Sequence, residues 1–170
     1  MLKDYGFIFR NDPAYAAKAA RVSSLARDVT EVLAEVLTAA APAARSDTQS
    51  APAETNLRIA YHSACSLQHG QKLHSVAPTL LRDAGFTVLD IPESHICCGS
   101  AGTYSLLQPE MSTQLRDRKA RNIESVQPDV IATGNIGCIT QIEHATGIPI
   151  IHTVELLDWS TGGPRPAQLS

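Results

Sequence analysis

Apolar positions change their period partway along this chain, and the change marks its organisation. From Val22 to Leu37 they recur at helical spacing, with Val22, Leu25, Val29, Val32, Leu33, Val36 and Leu37 on one stripe. Asp12-Pro13 ahead of them offers an N-cap followed by a proline at the first helical position. The pattern predicts one helix over about 13–39. Before it, Tyr5, Phe7, Ile8 and Phe9 crowd residues 1–11 with no partner element near in sequence, which reads as a docking edge. After it, the stretch to Asn56 is small and polar without any apolar period, the composition of a flexible linker. The expected division is an N-terminal helical arm, 1–39, a linker, 40–56, and a second domain, 57–170.

In that second domain short strand-like runs alternate with helical ones. Leu57 to His62, Phe86 to Ile91, Val130 to Thr133 and Ile148 to Thr153 read as strands. Leu67 to Ala84 reads as helix, with Pro78 predicting a kink or two short helices and Gly85 closing the last turn. Pro109 opens a helix to about Val126 with Met111, Leu115 and Ile123 facing inward; another starts near Cys138 and stops at Gly147; a last short one covers Val154 to Trp159. Alternation of this kind implies βαβ units with right-handed crossovers. The fold class is α/β, an open parallel sheet of about four strands flanked by helices and preceded by the helical arm.

The cysteines turn this scaffold into chemistry. Cys65, the adjacent pair Cys97-Cys98 and Cys138 are all the cysteines of the chain, and each follows a predicted strand. A parallel sheet presents every strand's C-terminal end on one edge, so three segments deliver thiols to the crevice where open α/β sheets bind ligands. Thiolates beside the close-approach glycines Gly99 and Gly137 suit an iron–sulfur cluster or zinc. Four buried free cysteines, or a vicinal disulfide between Cys97 and Cys98 in a thiol–disulfide enzyme, are the alternatives. His62, His69 and His95 lie near the cysteine segments and are further candidate ligands or hydrogen-bond donors to sulfur, His95 first because it stands just before the pair. Gly99-Ser100-Ala101-Gly102-Thr103 lacks the lysine and spacing of a phosphate loop.

Composition and charge narrow the class. A length of 170 residues with 44% hydrophobic and 18% charged residues supports a core that needs no metal to fold. A net charge of -3 and a pI near 6.0 supply no positive field for nucleic acid. Arg116, Arg118, Lys119 and Arg121 share their helix with Asp117 and read as a solvated surface. With no apolar run of spanning length and no signal-peptide pattern, the expected address is the cytoplasm, where cysteines serve as metal ligands or redox groups.

Three strings carry a family likeness: Tyr61-His62-Ser63-Ala64-Cys65, Cys97-Cys98-Gly99-Ser100-Ala101-Gly102-Thr103-Tyr104 and Gly134-Asn135-Ile136-Gly137-Cys138. They resemble the cysteine-rich domains named for a Cys-Cys-Gly core, found in heterodisulfide reductases, lactate-utilisation iron–sulfur proteins and the glycolate oxidase iron–sulfur subunit, and they look most like the last. The resemblance implies that Cys65, Cys97, Cys98 and Cys138 hold a four-iron cluster, cubane or non-cubane, with zinc as the alternative. It implies an electron-transfer subunit that works only within its complex, with FAD on partner subunits and attachment to the inner membrane's periphery through them. It also implies that this chain is a fragment lacking the N-terminal half of the subunit. One departure stands out, for the family's closing Cys-x-x-Cys is here Cys138 with Gln141 in the second place.

Overall fold

The computed structural model describes residues 2–40 and 56–169. The chain divides into two compact units, Met1–Pro42 and Ala43–Ser170. Residues 41–55, which make up most of the expected linker, lie outside the described residues.

In the first unit a 3-10 turn, Leu2–Asp4, leads into the short helix α1, Tyr5–Ile8, followed by α2, Ala16–Leu25, and α3, Val29–Ala40. The single helix expected over 13–39 is thus two. Ala26 takes an extended conformation at the end of α2. Asp28 then starts α3 with a reciprocal cap: its Oδ1 accepts from Thr30 N at 2.9 Å, and Glu31 Oε2 accepts from Asp28 N at 2.8 Å. The apolar stripe conceals the break because Leu25 and Val29 keep an i,i+4 spacing across it. Asp12 braces the turn before α2 rather than capping the helix itself, its Oδ1 accepting from Ala14 N and Tyr15 N while Tyr15 stands at the N-cap with no side-chain bond. The N-terminal aromatics lie on a helix that docks on α2 where Gly6 N meets Ser23 Oγ at 2.8 Å, while Phe7 stays 68% exposed.

The second unit is an α/β sheet with four parallel strands, β1 (Arg58–Tyr61), β2 (Thr87–Leu89), β3 (Val130–Thr133) and β4 (Ile150–His152), in the order β2-β1-β3-β4. The helical segment after β1 is two pieces, as Pro78 predicts. A π-helical turn, Ser66–Gln71, ends at left-handed Lys72, and α4, Val76–Asp83, follows with Pro78 in its first turn. Gly85 at φ +93 closes α4, with Phe86 N reaching back to Leu81 O. Next come α5 (Tyr104–Leu107), unforeseen from the sequence, α6 (Pro109–Glu124), α7 (Ile136–Glu143) and α8 (Thr153–Ser160).

Period-two alternation sorts the strand residues onto two faces. Ala60, Ile131 and Ile150 align across the sheet and pack with Ile123 of α6 and Ile142 of α7, and Cys98 and Cys138 join this same cluster. Ile123 faces inward as expected and Leu115 is half-buried, but Met111 points out to solvent and Ser112 takes the inward place at the start of α6. Because β1 lies between β2 and β3, the sheet grows one way from β1 to β2 and the other way from β3 to β4. Right-handed crossovers therefore change face at this point and leave a crevice beyond the ends of β1 and β3, where ligands bind in sheets of this kind.

Candidate metal centre

The crevice receives all four cysteines. Cys65 follows β1 and begins the π-helical turn; Cys97 and Cys98 lie on the long loop after β2; Cys138 stands in the first turn of α7. All four are free thiols, Cys98 and Cys138 buried, Cys65 and Cys97 half-buried. Asn135 caps α7, its Oδ1 accepting from Cys138 N at 3.1 Å, which fixes Cys138 at the helix's positive end, where a thiolate is favoured.

The thiols form two neighbouring pairs. Cys98 Sγ and Cys138 Sγ are 3.4 Å apart. Their bond pushes the Cys98 thiol down, to about 4, helped by the nearby His62 ring, while the same bond and burial push Cys138 up. Burial first, then the neighbouring Cys97, pushes Cys65 up to about 11. Cys97 Sγ accepts from Gly99 N at 3.3 Å.

His62, Cys98 and Cys138 are all buried, with ligand atoms within 4.8 Å of one another. His62 N–H continues the β1 to β3 ladder onto Ala132 O at 2.8 Å, which anchors the residue against the crevice. The expectation about the histidines changes here: His95 and His69 are exposed, joined through His69 Nε2 and His95 O, and it is His62 that faces the thiols.

Two glycines let the loops close. Gly99 has φ +89, and a Cβ on it would stand 2.3 Å from Ser112 O. Ser112 Oγ donates to Gly99 O at 2.9 Å and accepts from Gln141 Nε2 at 2.9 Å. Position 141 therefore ties α7 and α6 to the Cys-Cys-Gly turn instead of carrying a thiolate. A Cβ on Gly137 would stand 2.8 Å from Ser100 Oγ. Gly99→Ala adds a left-handed alanine to a backbone clash and is expected to destabilise by about 2–5 kcal/mol. Gly102→Ala, also at positive φ but with nothing within 4 Å, is expected to cost about 1–2 kcal/mol. Urea unfolding of the metal-free variants checks the difference.

Lys119 corrects the reading of the basic cluster as a solvated surface. It is 0% exposed, and its Nζ donates to Glu93 O and Ser94 O, each at 3.1 Å, clamping the loop that leads into Cys97. Burial lowers its pKa, against the opposing pull of Cys98, Cys65 and Cys97. Arg118 and Asn122 hold the Glu93 side chain from the same helix, and Glu93 itself has φ +51. The sequence signal for Lys119 was its spacing from Ile123, which puts both on the inward face of α6; Ser112 gave no such signal.

Among the described residues His62, Cys98 and Cys138 form a group able to hold a soft metal ion, with Cys65 and Cys97 beside that group but outside it and Lys119 reaching in from the middle of α6. No helix among the described residues is long and apolar enough to cross a membrane.

A family described as "Cysteine-rich domain", CCG, matches residues 59–143. The chain is 40% identical over 157 residues to the glycolate oxidase iron-sulfur subunit of Escherichia coli strain K12, covering 92% of this chain and 36% of that protein. It is 30% identical over 164 residues to lactate utilization protein A of Geobacillus thermodenitrificans and 27% to that of Bacillus licheniformis, covering 93% of this chain and 65% of each relative. The chain thus spans about a third of the first relative's length and just under two thirds of the others'. With its cysteine strings inside the matched segment, the chain belongs to the family of CCG cysteine-rich domains.

Proposed function

We propose that this chain is an iron–sulfur electron-transfer module of a complex that oxidises glycolate to glyoxylate. The observation that carries the reading is the delivery of Cys65, Cys97, Cys98 and Cys138 to one crevice at the switch point of the sheet. The likeness to a glycolate oxidase iron-sulfur subunit favours glycolate as the substrate. The lactate utilization relatives favour the second reading, a module serving another 2-hydroxy acid.

Oxidation of glycolate to glyoxylate releases two electrons and two protons. In this reading a flavin on partner subunits would supply the acceptor for that pair, and a cluster held in this crevice would supply one-electron carriage. The four cysteines hold it, Gly99 and Gly137 allow the loops to approach it, and Cys98 and Cys138 shield it among Ile123, Ile131 and Ile142. Lys119 offsets the negative charge of the thiolates. None of these residues acts as acid or base on the substrate. The exposed apolar residues Leu2, Phe7 and Ile8 are the proposed contact with the rest of the subunit. The complex works in the cytoplasm or at the inner face of the membrane.

The test is the assembled complex carrying Cys98→Ser in this module. Intact assembly and glycolate-dependent flavin reduction, with loss of electron passage to the acceptor, support the reading. Unchanged passage contradicts it, and failed assembly with the flavin subunits points to a zinc-bound or metal-free scaffold domain.

A further inference from the structure

We propose that His62 is a ligand of the metal centre, binding the metal through an imidazole nitrogen beside Cys98 and Cys138. The inference rests on the reading of this crevice as a metal site and adds a donor that the cysteine pattern does not contain.

His62 is 1% exposed, and neither of its ring nitrogens meets a partner in hydrogen-bond geometry among the described residues, though the ring lies near enough to Cys98 to favour its thiolate. A buried polar side chain in that state is uncommon, because both nitrogens have left water without replacement. The ring is not adrift, since its backbone is pinned by the ladder bond to Ala132 O. What it faces is two thiols, and the three ligand atoms lie within 4.8 Å of one another. On one four-coordinate ion, bonds of about 2.0–2.3 Å would separate sulfur and nitrogen ligands by about 3.5–3.8 Å. The 3.4 Å between Cys98 and Cys138 is close to that separation. Metal bonding satisfies one ring nitrogen and leaves the other as the N–H.

Gln141 leaves room for such a donor. Its Nε2 is held by Ser112 beside the Gly99 turn, and its remaining ligand atom is a hard amide oxygen, a poor match for a soft centre. His62 is then the further donor available to the four cysteines. In an iron–sulfur centre, replacing thiolate by imidazole raises the reduction potential, because a neutral ligand replaces an anionic one. In a zinc centre it gives a mixed sulfur and nitrogen set.

The test uses the full chain, stripped of metal and titrated anaerobically with Co(II), in wild type, His62→Ala and His62→Cys, with circular dichroism confirming the fold of each. X-ray absorption at the cobalt edge is expected to show imidazole scattering in wild type and to lose it in both variants. Affinity is expected to fall at least about tenfold in His62→Ala and to recover in His62→Cys, whose shell becomes all sulfur. Absence of imidazole scattering in wild type, its persistence in His62→Ala, or failure of wild type to bind Co(II) overturns the assignment. Iron and sulfide content, measured separately on the chain as isolated, decides the iron–sulfur reading. A chain with iron and sulfide but no imidazole signature would lose His62 and keep the cluster, and one with zinc alone and the signature would do the reverse.

Discussion

Changing Cys98 to Ser is expected to reduce the metal content of the chain to less than about a tenth of wild type while leaving the sheet folded. Cys98 is 1% exposed, touches Cys138 at 3.4 Å and faces His62, so it stands at the meeting point of the donors. A serine hydroxyl is smaller and stays protonated at neutral pH, so it replaces neither the charge nor the softness of a thiolate. The cost to the metal-free fold is expected to be about 1–2 kcal/mol, the scale of a polar substitution in a buried position. The sheet survives because its register pairs, from Ile59 with Val130 to Thr133 with His152, do not involve the loop. Iron and zinc analysis beside a urea unfolding curve checks both halves. Unchanged metal content contradicts the role given to Cys98, and an unfolded variant contradicts the separation of site from scaffold.

Changing Lys119 to Met is expected to weaken both the loop and the centre. Methionine fills nearly the same volume but provides no donor for Glu93 O and Ser94 O and no charge beside Cys98, Cys65 and Cys97. The lost hydrogen bonds predict about 1–3 kcal/mol less stability in the metal-free chain. The lost cation makes the thiolates harder to form, and one unit of pKa on one ligand corresponds to about tenfold in affinity at neutral pH. The control is Arg118→Met, on the next residue of the same helix. Arg118 is exposed and pairs with the Glu93 side chain, so its loss is expected to cost about 1 kcal/mol or less. Unfolding curves and Co(II) titrations of the two variants compare a buried cation with a solvated one. Equal behaviour would return Lys119 to the surface role that its sequence neighbours suggest.

Much of the scaffold was legible because the strands are apolar runs between helix punctuation, and Gly85, Pro109 and Pro78 act where backbone geometry requires them. The convergence of the cysteines was legible for the same reason, since parallel strands put their C-terminal ends together whatever their order. The order itself, with β1 between β2 and β3, was not read from the sequence, yet it creates the crevice. Local spacing misled where two patterns coincide. The stripe through Leu25 and Val29 runs across the break at Ala26, although Asp28 and Glu31 write a capping box into the sequence. Among the histidines, nearness to Cys97 favoured His95, whereas burial depends on the tertiary path and selects His62. Lys119 was hidden by charged neighbours, because charge pattern alone does not say which cation of a helix turns inward. Gln141 read as a missing ligand, and only contact with Ser112, distant in sequence, shows what it holds.

Whether three strand ends build one iron–sulfur centre is decided by iron, acid-labile sulfide and zinc analysis of the anaerobically purified chain. Iron and sulfide are expected in near-equal amounts, with a paramagnetic resonance signal that changes on reduction. Zinc alone, reproducibly near one per chain, or neither metal would contradict such a centre.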